Sequence, residues 1–115
     1  MIERAVIGAQ IEEKLRVRAQ RFAIQLPLRY RIRTENTWRR GETINVSSSG
    51  VLFRGDYFAE SNTAVEVNLM MPAVNFEGAA EVVCGGTIVR AVPSSNADAW
   101  PALAVKISQY HLVRP

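Results

Sequence analysis

The fold that this sequence predicts is a small all-β domain: a six-stranded antiparallel β-barrel, preceded by an N-terminal helix and closed by a short C-terminal helical turn. Three observations lead there. Apolar and polar residues alternate with a period of two in several segments, the mark of half-buried strands. Polar connections bearing Gly, Pro, Asn or Ser separate those segments at short intervals. The length of 115 residues suits one domain, and closing so small a sheet on itself removes its exposed edges.

Residues 2–19 read as the helix. Ile7, Ile11 and Leu15 recur at helical spacing, and Glu12 and Arg16 form a favourable i,i+4 pair. Ile2, Val6 and Val17 lie off that stripe, which gives the helix a second surface for packing or for a partner. Residues 1–20 are thus a helix and an arginine-bearing leading segment, and residues 21–115 the barrel. The first strand is "IQLPLRYRIR": Ile24, Leu26, Leu28, Tyr30 and Ile32 face one way, and Arg29, Arg31 and Arg33 the other. Pro27 cannot donate to a ladder and favours an edge or a bulge. "TENTWRRG" reads as a polar connection, "ETINV" as the second strand, and "GVLF" as the start of the third. "AVEVNLMM" alternates again, with Val65, Val67, Leu69 and Met71 on one side, and "PAVNFEG" turns the chain. "AAEVVCGGTIVRAV" is a long strand that Gly85-Gly86 should interrupt with a bulge or bend. "ALAVKI" is the last strand, with Leu103, Val105 and Ile107 inward, and "SQYHLV" is read as the closing turn.

The net charge is +3 with a pI near 9.5, but the basic excess is local. Arg16, Arg18, Arg21, Arg29, Arg31, Arg33, Arg39 and Arg40 fall in one stretch, while Lys14 and Lys106 are the only lysines. Arginine presents a planar fork of donors that holds phosphate or a guanine edge and also stacks on a base. The cluster points to an anionic ligand, set against the plainer alternative of a solvated basic face. No apolar run approaches the roughly 18 residues that span a bilayer. Glu3 and Arg4 stand where a secretory leader would begin its apolar core, and Cys84 is the single cysteine, so a cytoplasmic setting is expected.

Enzyme chemistry finds little support. His111 is the only histidine, and no spacing joins it to Cys84 or a serine as a nucleophile and base. The carboxylates are scattered, no metal-ligand cluster is visible, and "CGGT" lacks the lysine and spacing of a phosphate loop. Trp38 and Trp100 read as core or rim aromatics. An oligonucleotide-binding barrel would interleave aromatics with cations on a sheet face, and the outward positions of the first strand carry only arginines. Neither DNA nor RNA is expected as a ligand.

The segment "NVSSSG" combines an acceptor-rich Asn45, a hydroxyl at Ser47 and Gly50 just before an apolar run. Asn and Ser side chains can hydrogen-bond a guanine edge or nearby backbone, and Gly tolerates a positive φ or the close approach of a ligand. As structure alone it is an Asn-capped turn between strands. "RFAIQLPLRYR" upstream, "NVSSSGVLF", "AVEVNLMMP", "GTIVRAV" and "PALAVKI" together resemble the PilZ domain family across roughly residues 16–110.

That resemblance implies a six-stranded antiparallel barrel and, in many members, binding of the bacterial second messenger cyclic di-GMP. The family uses an RxxxR pair leading into the barrel and a [D/N]xSxxG turn. Asn45, Ser47 and Gly50 take the defined positions of the second motif. Arg21 fits the second arginine of the first motif, but Val17 stands where the other belongs, flanked by Arg16 and Arg18. The resemblance therefore implies a receptor without enzymatic activity or a cofactor. Arg16 or Arg18 would join Arg21 on phosphates or guanine, Asn45 and Ser47 would read the base, and Gly50 would make room. The readout would be a surface offered to a protein effector. The alternative is a degenerate PilZ domain that does not bind the nucleotide and serves as a protein–protein interaction module.

Overall fold

The computed structural model describes residues 21–71 and 80–113. The expected N-terminal helix, with Arg16, Val17 and Arg18, and the "PAVNFEG" turn lie outside the described residues. The described chain forms six strands: β1 (Pro27–Ile32), β2 (Arg39–Val46), β3 (Gly50–Gly55), β4 (Ala64–Met71), β5 (Ala80–Val92) and β6 (Ala102–Val113). They close into an antiparallel barrel in the order β1-β2-β3-β6-β5-β4, as the alternation predicted.

The inward set follows the period-two reading. Leu28 and Tyr30 of β1, Val65, Val67 and Leu69 of β4, and Leu103 and Val105 of β6 are buried, with Ile24, Leu26, Ile32, Met71 and Ile107 packed against them. Phe53 and Tyr30 meet at the centre with ring centroids 4.9 Å apart and planes tilted by 60°. Each large side chain buried in this way contributes about 1.5–3 kcal/mol. Between Gly85 and Gly86 the β5–β6 register shifts, the irregularity expected of that pair. A side chain at Gly86 would also meet Val105 Cγ1 at 2.8 Å.

Three expectations are corrected. "SQYHLV" is not a closing turn: β6 runs on through Val113, because residues 109–113 pair with β5 from Gly85 back to Glu81. The second strand starts at Arg39, so Arg39 and Arg40 belong to β2 and pair with Tyr30 and Arg29. Pro27 marks neither an edge nor a bulge. It is the first residue of a strand that is hydrogen-bonded on both sides, to β2 and β4, with the β4 pairing starting one residue later. The first position of a strand tolerates a residue without an N–H.

Among the described residues, the ionisable groups Tyr30 and Cys84 lie in the core. Burial pushes the Cys84 thiol from 9.0 up to about 12. Burial also raises the Tyr30 phenol, from 10.0 to about 12, against the opposing effect of its backbone hydrogen bond at Tyr57. Both groups keep their protons in the folded state at a pH where the unfolded chain loses them. Stability is therefore expected to be unaffected by these groups below pH 9.0 and to fall as pH rises from there towards 12. Denaturant midpoints across that window should decline for the wild type and decline less for Cys84→Ala. Equal slopes in the two proteins would refute the assignment for the thiol.

Candidate functional site

The site is built where the segment before β1 meets the end of β2. Phe22 and Val46 form an antiparallel bridge, with Phe22 N donating to Val46 O at 2.8 Å and Val46 N to Phe22 O at 3.0 Å. Phe22 packs against the core, so the bridge is anchored by apolar burial as well. Thr43, buried among apolar residues, continues the join: its Oγ1 accepts from Leu26 N at 2.7 Å and donates to the Ile24 carbonyl. Gln25 Nε2 donates to Glu42 Oε1 at 3.0 Å on the outside.

This lacing sets Arg21 beside Asn45. Arg21 Nη1 donates to Asn45 Oδ1 at 2.9 Å, across 24 residues of sequence. A register shift in the β2–β3 ladder between Thr43 and Asn45 lies just before the asparagine. Bulges of this kind re-aim the side chains that follow them.

Ser47 and Gly50 have different tasks. Ser47 is 1% exposed. Its Oγ accepts from Gly50 N at 3.1 Å and from Ser49 N at 3.3 Å, and Ser47 N donates to Gly50 O at 2.8 Å. The hydroxyl thus takes the backbone option of the two open to it and holds the turn closed. Gly50 has no left-handed φ; a Cβ there would lie 3.0 Å from the Val105 carbonyl oxygen. Close approach to β6, where Gly50 pairs with Lys106, crowds any side chain at this position.

Next to Arg21 the outer faces of β3, β6 and β5 form a shallow cavity of about 300 Å³, lined among others by Ser49, Gly50, Leu52, Val89 and Lys106. Val89 is 53% exposed. An apolar floor between two cations, Arg21 and Lys106, suits a flat base with phosphate beside it. Lys106 was missed in the sequence reading, where it was one outward residue of a strand. Its pairing with Gly50 appears only once β3 and β6 are neighbours.

Ser47→Ala is expected to cost about 1 kcal/mol, as for a lost hydrogen bond. That corresponds to a fall of roughly 5 °C in Tm for a domain of this size. Thermal unfolding without ligand measures it, and an unchanged Tm would show that the turn holds without the hydroxyl.

Cys84 and His111 make no catalytic pair. Cys84 points into the core and His111 is exposed on the neighbouring strand, opposite Val83 rather than Cys84. Among the described residues no group of three or more His, Cys, Asp or Glu is placed to hold a metal ion. No helix among them is long and apolar enough to cross a membrane. Trp38 lies on the outside, 37% exposed, with the Arg29 and Arg31 guanidinium carbons 4.7 and 5.3 Å from its ring centroid.

The closed six-stranded antiparallel barrel thus carries its leading arginine against an NxSxxG turn. A comparison with protein families matches the PilZ domain over residues 15–111, and the chain belongs to that family. The family has a role in cyclic di-GMP reception, and its domains are binding and adaptor modules. No curated protein matches the chain. No solved structure matches it either.

Proposed function

We propose that this chain is a cytoplasmic cyclic di-GMP receptor that has no enzymatic activity and passes ligand binding to a protein effector. The observation that supports the reading is the 2.9 Å contact between Arg21 and Asn45, one residue of each motif. A guanidinium resting on a neutral amide can exchange that partner for phosphate or for guanine O6 and N7, which give stronger, charge-assisted bonds. The Asn45 amide released by this exchange is then free to read the guanine edge. Ser47 supports the site by holding the turn that presents Asn45. Arg16 or Arg18 supplies the second cation in place of the arginine that Val17 displaces. Its engagement fastens the segment before the barrel onto the β3–β6 face, and the altered surface is what an effector reads. No cofactor is needed.

Calorimetry with cyclic di-GMP, GMP and cyclic AMP tests the proposal. Two guanines joined through two phosphates engage both motifs at once, so cyclic di-GMP should bind more tightly than either mononucleotide. Equal affinity for all three, or none at about 100 μM protein, would sink the receptor reading and leave the interaction module in its place.

A further inference from the structure

Lys106 lines the β6 side of the cavity beside Arg21, and it belongs to neither sequence motif. Three observations single it out. Its position is tied to the NxSxxG turn: Gly50 pairs with Lys106, and Ile107 N donates to Ser49 O at 2.9 Å. Opposite residues on antiparallel strands lie about 4.5–5.5 Å apart at Cα, so the ladder itself delivers the lysine to the rim of the turn. Its neighbours across the strands leave its charge unanswered. Gly50 on one side has no side chain, and Thr87 on the other has no charge. The ammonium joins no ion pair among the described residues, where the pair found is Arg31 with Glu66. The surroundings are also of one sign. No Asp or Glu lines the cavity, and β3 and β6 contain none along their length. A cleft lined by cations alone raises the local concentration of anions.

We infer that Lys106 is a phosphate-binding residue of this site, holding a phosphodiester oxygen of cyclic di-GMP from the β6 wall while Arg21 engages the ligand from the other side. The inference rests on the receptor reading and adds to it a cation carried by a strand. An ammonium on a four-carbon stem is a compact point charge suited to a phosphate oxygen, whereas the planar fork of Arg21 also matches a guanine edge. With no side chain at Gly50, the way across the start of β3 from Lys106 towards Arg21 stays open. A ligand held at both ends lies over Leu52 and Val89, the apolar part of the lining. Lys106 sits on a strand paired on both sides, to β3 and β5. Holding phosphate there therefore orders one side chain and not a stretch of backbone.

Calorimetry with cyclic di-GMP at low and at physiological salt tests this on the full chain, comparing the wild type with Lys106→Met, Lys106→Arg and Arg40→Gln. Lys106→Met keeps the apolar stem and removes the charge. Affinity should fall about tenfold or more, the usual scale for a hydrogen bond to a charged group. Added salt should weaken the wild type, and should weaken Lys106→Met less steeply, because one screened contact is gone. Lys106→Arg should keep most of the binding. Arg40→Gln removes the same charge from β2, where Arg40 faces Arg29 outside the cavity, and should bind like the wild type. Lys106 is exposed, so the Tm of Lys106→Met without ligand should match the wild type. If the wild type binds and Lys106→Met binds equally well, the inference is overturned and the receptor reading stands. The inference is also overturned if Arg40→Gln weakens binding as much, which would make the effect one of overall charge. A Tm lowered by several degrees in Lys106→Met overturns it too, since the lysine would then be structural. A wild type that does not bind overturns the receptor reading, and this assignment with it.

Discussion

Gly55→Ala is expected to lower the melting temperature by roughly 10 °C. A Cβ at Gly55 would lie 2.6 Å from Tyr30 Cζ and closer still to the phenol oxygen. Tyr30 cannot easily retreat. Its ring is fully buried against Phe53, and its hydroxyl donates to Tyr57 O at 2.6 Å while accepting from Tyr57 N at 2.9 Å. Relief therefore has to come from the barrel wall, and overpacking of this kind costs about 1–3 kcal/mol or more. Tyr30→Phe removes the oxygen that the methyl group would strike, at the expense of both hydrogen bonds to Tyr57. The two substitutions in one chain should thus cost less than the sum of each alone. Thermal unfolding of the four proteins decides it: strict additivity would show that Gly55 is not held small by the phenol.

Arg21→Ala carries the largest expected effect on function. Under the proposed reading it removes the described cation that touches the second motif, and hydrogen bonds to charged groups are worth about 1.5–3 kcal/mol. Loss of one to two orders of magnitude in cyclic di-GMP affinity is expected, with little change in Tm because the Arg21–Asn45 bond is exposed. Val17→Arg is the converse arm and should tighten binding by about 1–2 kcal/mol, because it restores the family spacing. If Arg21→Ala binds as well as the wild type, the leading segment takes no part in the site. If Val17→Arg changes nothing, Arg16 or Arg18 already fills the missing role.

The barrel was legible because its signal is local. In "LPLRYRI" and "AVEVNLMM" every second residue is apolar, so the chain itself states which face is inward, and a slip of one residue would expose the whole set. The Gly85-Gly86 irregularity was legible for the same reason, since paired glycines weaken a ladder wherever they stand. Strand limits were less so. "SQYHLV" lacks clean alternation, with Ser108, Gln109 and His111 exposed, and it is strand because β5 is long enough to pair with it. Arg39 and Arg40 resemble loop residues until β1 and Asp56, just past the end of β3, take up their backbone groups.

The sequence by itself determined the inward and outward sets, the fold class and the turn residues of the candidate site, because side-chain period and turn chemistry are properties of neighbours along the chain. Tertiary structure alone decided which residues meet. The Phe22–Val46 bridge carries Arg21 to Asn45, β3 beside β6 gives Gly50 its steric limit at Val105 and sets Lys106 next to it, and β1 beside β2 opposes Arg29 to Arg40. It also turned the Ser47 hydroxyl onto the backbone of its own turn. Those outcomes depend on strand order and register, which are set by how the whole apolar surface closes on itself, and no short stretch of sequence records that.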